Sequence, residues 1–546
     1  MKNSSHSSVT SHGSSQGVTK RRGLVRALEL VGVLTILVVT GLRALIGADI
    51  LGDDESAYLS RGLAIHSGVM PAFTDGAGYS ALYFLGSFLF PNPIDLYFAG
   101  RVAVAVAFVL SIWLTTRLFT SPSPAILAAM LAAMIPATYV WPGVSGPAIG
   151  VVLIAVGLAI RFPGPLSLGV TSGLLWVAGS MRPEFVYAAL FSSAVAVVLL
   201  VNVVIRKSRA SGTPGKVVAV AGGAIAVPVW LIATFGSPFS DSGRSWVAFG
   251  QHFARRNTLE GEYHWTDWGQ VVERFFPGAS SVLDALVVNP VAVIGHVFFN
   301  ATWAPLALGR SLVGYPGVDG PTVLFSWIAI GAASLFLAIG LVTKRRSLRK
   351  LSTSITKALT TRLPRPEWWI ALVVFGLSLV SVMVVFPRTH YMILWAGAYL
   401  IALGIVFHRL PGKLPWRRVS GIAVGATFVA FAAYSASLFF EEPTVRDRPA
   451  AAALIEIRAL NKDMVVLGRA RGMQVYTEST WEAVTDTPAG DETLQSFLDR
   501  VEATIVFAEE PGASAPWTLL PEWDLFQATP QVYGFSGSID AGFYWR

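Results

Sequence analysis

Apolar runs of about twenty residues recur along this chain, and no other feature constrains its fold as much. They fall near 24–46, 96–118, 122–140, 145–161, 166–181, 184–205, 217–235, 321–343, 367–387, 390–408 and 418–440. Each approaches the ~20 residues that a helix needs to cross hydrocarbon. Helices are the form expected, because a segment in hydrocarbon must satisfy its own backbone donors and acceptors. The charge content agrees: only 14% of the 546 residues are charged, where a soluble chain carries roughly 25%. The expectation is a polytopic all-α membrane domain of about eleven spans.

Basic residues assign the sides. Lys20, Arg21, Arg22 and Arg26 hold the N-terminus inside, and the alternate loops at Arg117, Arg161, "RKSR" (206–209), "KRRSLRK" (344–350) and "HRLPGKLPWRR" (408–418) follow it there. The formal charge of +8 is thus topological, and nucleic-acid binding is not expected. The Ser-rich residues 1–19 lack the apolar content to pack and are expected to be disordered. A cleaved signal peptide ending near Ala44 or Ala48 is the rival reading of the first run, whose length favours an uncleaved helix. Segment 289–310 is apolar enough to span, but doing so would move 344–350 outside, and it carries His296 and Asn300; it is expected to be interfacial or re-entrant.

The domain limits follow: a tail 1–19, a membrane domain 20–440 with external loops 48–95 and 236–320, and an external domain 441–546. In the last, "AAAALIEIRAL" and "DETLQSFLDRV" read as helices, the second capped by Asp491, and 464–468 and 504–508 as strands. A small α/β domain results, without a phosphate-binding glycine loop and so without an expected nucleotide. No internal repeat supports a transporter built from inverted halves.

Chemistry-bearing residues collect at the outer ends of the runs. Asp53, Asp54 and Glu55 are three adjacent carboxylates, whose mutual repulsion raises a pKa and suits general-base work; a solvated loop edge is the plain alternative. Helical spacing puts Asp54, Tyr58 and Arg61 on one face, and Arg61 either serves the site or pairs with the acids. "SMRPEF" (180–185) places Arg182 and Glu184 at the boundary, and "FPRTHY" (386–391) places Arg388, His390 and Tyr391 at the same level. Guanidinium forks bind phosphate, although an arginine snorkelling to headgroups or capping a helix explains the same pattern. The loop 245–278 offers His264 and Trp265 among many aromatic and basic groups suited to sugar faces. His252, His264 and Asp267 match no metal-ligand spacing, and the absence of cysteine removes thiolate sites and disulfides.

"DESAY" (54–58), the aromatic stretch "GYSALYFLGSFLF", Arg101 in "FAGRVAVAVAF", "MRPEF" and "FPRTHYMIL" together resemble the GT-C superfamily of integral-membrane glycosyltransferases, closest to its protein O-mannosyltransferase and aminoarabinose transferase branch. The resemblance spans the layout of nearly the whole chain through short motifs. It implies transfer of a sugar from a polyprenyl-phosphate donor to a glycan, glycolipid or protein hydroxyl, with inversion, at the outer face of the cell membrane. It makes Asp54 the base, with Asp53 and Glu55 beside it. Arg182, Arg388 and His390 would hold the donor phosphate. Tyr58, Arg61, Asp75, Tyr79, Glu184, His264, Trp265 and Tyr391 would line the substrate site. "GYSAL" lacks the Lys-Pro-Pro of many members, and a second nearby acid is present only if Asp75 supplies it. No cofactor is implied, although a divalent metal is compatible. A transporter or lipid flippase with a polar outer cavity is the competing class.

Overall fold

A computed structural model describes residues 14–46, 48–50, 54–139, 146–206, 213–239, 243–259, 264, 267–314, scattered positions within 324–334, and 365–409, 414–440, 448–460, 463–468, 472–477, 479–484, 486–508, 515–538 and 542–546. Helix α1 runs over Ser14–Leu45, beginning inside the segment expected to be disordered: an apolar helix, once nucleated, propagates at little cost into polar sequence. Two short helices follow, α2 (Asp54–Ala64) and α3 (Ala77–Ser87). Then come α4 (Pro93–Phe119), α5 (Pro122–Met134), α6 (Gly146–Arg161), α7 (Pro165–Met181) and α8 (Val186–Arg206). The run at 166–181 lies on one helix of 17 residues. A π-turn, Gly222–Ala226, joins α9 (Thr213–Ala221) to α10 (Val227–Phe235).

The stretch 245–278, expected as a loop, folds largely into amphipathic helices α11 (Arg244–Asn257) and α12 (Trp268–Phe275), whose apolar sides pack on each other through Phe249, Phe253 and Phe276. After α13 (Val282–Val288) come α14 (Pro290–Val313), α15 (Pro366–Val384), α16 (Ile393–Arg409) and α17 (Leu414–Phe440). Among the described residues, 7 helices are long and apolar enough to cross a membrane, and shorter apolar helices fill most of the other expected runs. The run 321–343 and the basic stretch 344–350 lie largely or wholly outside the described residues. The chain is a multi-pass membrane protein.

Contacts distinguish two ends of the bundle. At one, Arg117 pairs with Glu29 at 2.7 Å, Arg161 Nε donates to Leu118 O, and Glu367 accepts from Gly164 N. At the other gather Glu55, Arg101, Arg182 and Arg388. Helix α14 belongs to this second end. His296 Nε2 lies 3.0 Å from Val385 O, Asn300 Nδ2 donates to Met383 O at 2.7 Å, and Ser311 Oγ donates to Thr389 O at 2.8 Å. Ala307 packs with Val382 and Met392. Helix α14 is long and apolar enough to span, and these bonds engage His296 Nε2 and Asn300 Nδ2, polar groups that hydrocarbon disfavours.

The C-terminal region forms a small α/β unit. Helix α18 (Pro449–Leu460) precedes β1 (Met464–Leu467) and β2 (Trp481–Ala483). Helix α19 (Leu494–Arg500), β3 (Ile505–Phe507), α20 (Trp523–Ala528), β4 (Ser536–Ser538) and β5 (Phe543–Trp545) complete it. The sheet order is β2-β1-β3-β5-β4; β1 is parallel to β2 and β3, and β5 is antiparallel to β3 and β4. Thr493, not Asp491, caps α19, accepting from Ser496 N at 3.2 Å.

Candidate active site

Helix α2 opens on two acids, which favour a helix N-terminus because they face its partial positive charge. Its first turn divides by environment. Asp54 is half-buried, whereas Glu55 and Ser56 are buried. Glu55 Oε1 accepts from the Tyr83 hydroxyl of α3. Among the described residues its Oε2 has no hydrogen-bond partner. Burial raises the Glu55 carboxyl from 4.5 to about 7; Arg101 opposes the shift and Asp54 reinforces it. Asp53 lies outside the described residues.

Helices α2 and α3 are pressed together at Gly62, where a Cβ would stand 2.5 Å from Ser80 O and 2.7 Å from Tyr83 Cβ. That approach sets Tyr58 against Tyr79, ring centroids 5.4 Å apart. Both rings are buried. The Tyr79 hydroxyl has no hydrogen-bond partner among the described residues. Burial holds it well above the usual phenol range, with Glu55 adding to the shift and Arg182 opposing it. Tyr79 therefore sits within electrostatic reach of both the acid helix and the arginine loop.

Arg182 ends α7, where Pro183 breaks the helix and starts a 3₁₀ turn, Pro183–Phe185. Arg182 is paired: Glu184 Oε1 takes Nε and Nη2 at 2.7 and 2.6 Å. Its guanidinium also stands over the Tyr391 ring, 5.4 Å from the centroid. The loop before α16 thus meets the loop after α7. His390 lies within electrostatic reach of Arg182, Arg388 and His252, and its ring packs 4.2 Å from that of Tyr391. Arg182, Glu184, His390 and Tyr391 line a small crevice with Ser378 and Ser381.

Helix α11 closes a further side. The His252 ring stacks on Phe386 at 5.3 Å, and the Arg255 guanidinium lies 5.3 Å from the same ring. His264 is half-buried; burial, then Arg255 and Arg388, hold its imidazole below the usual range. Burial and the same two arginines push His252 down as well. Trp265 lies outside the described residues. Arg61 pairs with Asp75: Nη1 donates to Asp75 O at 3.2 Å, Nη2 is 3.9 Å from Asp75 Oδ2, and the guanidinium lies 5.9 Å from the centroid of the Tyr58 ring. The pair ties α2 to the turn before α3.

Two groups absent from the candidate site residues belong to it. Arg101, in the third turn of α4, is within electrostatic reach of Glu55 and lines a second small crevice with Tyr139 and Phe108. An ionisable residue opening an apolar run is the signal that marks it. Tyr83 carries no such signal, because a tyrosine on an apolar helix face reads as core.

The assembly gathers a half-buried carboxylate, two packed tyrosines, a guanidinium aligned by Glu184, and imidazoles beside further arginines. Such a site can accept a proton at one edge and balance anionic charge at another. No protein-family model matches the chain, and no curated protein matches it. Among solved structures it is similar to the archaeal oligosaccharyltransferase AglB from Archaeoglobus fulgidus in complex with an inhibitory peptide and a dolichol-phosphate, at 13% identity and TM-score 0.40, over 87% of this chain and 69% of that one. The apo form of the Archaeoglobus fulgidus oligosaccharyltransferase gives 12% identity and TM-score 0.37 over 87% and 69%. ArnT from Cupriavidus metallidurans in the apo state gives 13% identity and TM-score 0.34, over 97% of this chain and 98% of that one.

Proposed function

We propose that this protein is a membrane glycosyltransferase. It moves a sugar from a polyprenyl-phosphate donor to a hydroxyl of a glycan, glycolipid or protein at the outer face of the cell membrane, with inversion. One observation carries the reading. On the first turn of α2, Glu55 is turned onto Tyr83 and Ser56 is buried, which leaves Asp54 as the described acid with access to a substrate.

Asp54 takes the proton of the acceptor hydroxyl as its oxygen attacks the anomeric carbon. The bond from that carbon to the donor phosphate oxygen breaks, and the electron pair leaves on the phosphate. One in-line displacement inverts the anomeric centre. Arg182 and Arg388 hold the developing phosphate charge, with His390 donating or accepting a hydrogen bond; fixed cations of this kind lower a barrier where charge appears. Glu184 presets the Arg182 fork, so little ordering is left for the binding step. The phosphate departs as a stable anion, and the mechanism calls on no metal. Tyr58, Tyr79, Tyr391 and His264 supply faces and edges for the sugar.

Outward placement of the site rests on the basic loops, which the positive-inside rule keeps cytoplasmic. A lipid-carried donor then follows, since nucleotide sugars are cytosolic. The test is Asp54→Asn, read as polyprenyl phosphate released from polyprenyl-phosphate mannose. A flippase or transporter would keep its transport in this variant; a transferase loses turnover and keeps lipid binding.

A further inference from the structure

The C-terminal domain grips the loop that carries the acids, and it does so on both sides of Asp54. On one side, Asp49 caps α18 across the fold: Oδ2 accepts from Ala450 N at 2.7 Å and Oδ1 from Ala451 N at 3.1 Å. Beside it Arg448 donates to Leu45 O at 3.0 Å and lies 3.9 Å from the centroid of the Phe98 ring. On the other side, the Ser56 hydroxyl and the Tyr476 hydroxyl are 2.9 Å apart, both residues 0% exposed. Met473 Sδ lies 4.0 Å from the same Ser56 oxygen, and the Tyr97 ring meets that of Tyr476 edge-on at 6.1 Å. Gly472 carries φ +79, and a Cβ there would stand 2.6 Å from Ala57 N and from the Ser56 carbonyl carbon. The domain's 3₁₀ turn Met473–Tyr476 therefore rests directly on the backbone of the first turn of α2.

We propose that Tyr476 is a positioning residue: through Ser56 it fixes the first turn of α2, and with it Asp54, against the bound donor. The proposal rests on the transferase reading above. An isolated helix as short as α2, 11 residues, is marginal in water, so its placement comes from tertiary contacts. Glu55 and Tyr83 anchor it to α3; the Ser56–Tyr476 contact anchors the same turn to the C-terminal domain. Neither Tyr476 nor Ser56 is needed to hold the donor phosphate. Their loss should displace the base and leave donor affinity alone. Misplacing a catalytic group by ~1 Å can cost as much as 10²-fold in rate.

The experiment uses the full chain in lipid nanodiscs with polyprenyl-phosphate mannose as donor, and reads polyprenyl phosphate released. Tyr476→Phe keeps the ring and removes only the hydroxyl; Ser56→Ala removes the other partner. Each is expected to lower kcat about tenfold or more with donor KM within about twofold of wild type. The double variant is expected to be no slower than the worse single one, since one contact is lost in all three. Hydrogen exchange supplies a readout independent of turnover: amides of 54–64 should exchange faster in Tyr476→Phe, with α4 and α6 unchanged. Wild-type kcat in both single variants, losses that multiply in the double, or unchanged exchange in α2 would overturn the proposal. Wild type and Asp54→Asn separate the claims. A wild-type protein that releases no polyprenyl phosphate sinks the transferase reading, and full turnover in Asp54→Asn sinks Asp54 as the base; a dead Asp54→Asn beside silent Tyr476→Phe and Ser56→Ala sinks only the role of Tyr476.

Discussion

Arg182 stands over the ring of Tyr391, 5.4 Å from its centroid, and so joins two loops that lie far apart in the chain. The contact gives the proposed phosphate site a floor, with Glu184 aligning the guanidinium from the side. Arg182→Ala should weaken binding of polyprenyl phosphate by the worth of a charge-assisted contact, about 1.5–3 kcal/mol, or roughly 10- to 100-fold in Kd. Arg182→Lys should restore only part of it, because an ammonium lacks the planar fork. Titration of nanodisc-held protein with polyprenyl phosphate measures both; equal affinity in wild type and Arg182→Ala would remove Arg182 from the site.

Glu55 should leave a mark on stability against pH. Its folded carboxyl is raised from 4.5 to about 7, chiefly by burial. The folded protein thus holds this proton more tightly than the unfolded chain does. The associated stability is full below pH 4.5 and is lost as pH rises through about 7. Glu55→Gln stays neutral and keeps an acceptor for Tyr83, so its melting temperature should fall less over that window. Melting curves at a series of pH values decide the matter, and parallel profiles for the two proteins would contradict the burial argument.

Much of this architecture is legible in the sequence, for a physical reason. Hydrocarbon demands long uniform runs, so α4, α8, α15 and α16 announce themselves. Helices α11 and α12 do not, because their apolar residues alternate with Trp, His and Arg and read as a binding loop. Strands β2, β4 and β5 are three residues each, too short for any period to emerge. At the site, motif spacing singles out Arg182, His390 and Tyr391 as residues of one level, which the fold brings together. The pairing of Arg61 with Asp75, of Arg182 with Glu184, and of Ser56 with Tyr476 depends on tertiary approach, which no local pattern encodes.

Asp49 is an acid with a structural task. Its two oxygens hold the first amides of α18, so Asp49→Ala should cost about 0.5–2 kcal/mol, the range for losing an N-terminal cap. Hydrogen exchange should locate the loss in residues 449–460, whereas a uniform change across the membrane helices would point to a different origin.

Sidedness is testable because the chain contains no cysteine. A single cysteine at position 519, where Leu519 is 72% exposed in the C-terminal domain, should react with an impermeant thiol reagent in intact cells. One at position 350, in the basic run 344–350, should react only after permeabilisation. Labelling of position 350 from outside would invert the proposed topology.

The central claim is that Asp54 is the base, and Asp54→Asn tests it most directly. With polyprenyl-phosphate mannose as donor, turnover should fall by roughly 10²–10⁴-fold, the usual contribution of a general base. Binding of polyprenyl phosphate should be unchanged, and Asp53→Asn should lose far less. A variant with asparagine at position 54 that releases polyprenyl phosphate at the wild-type rate would contradict the account.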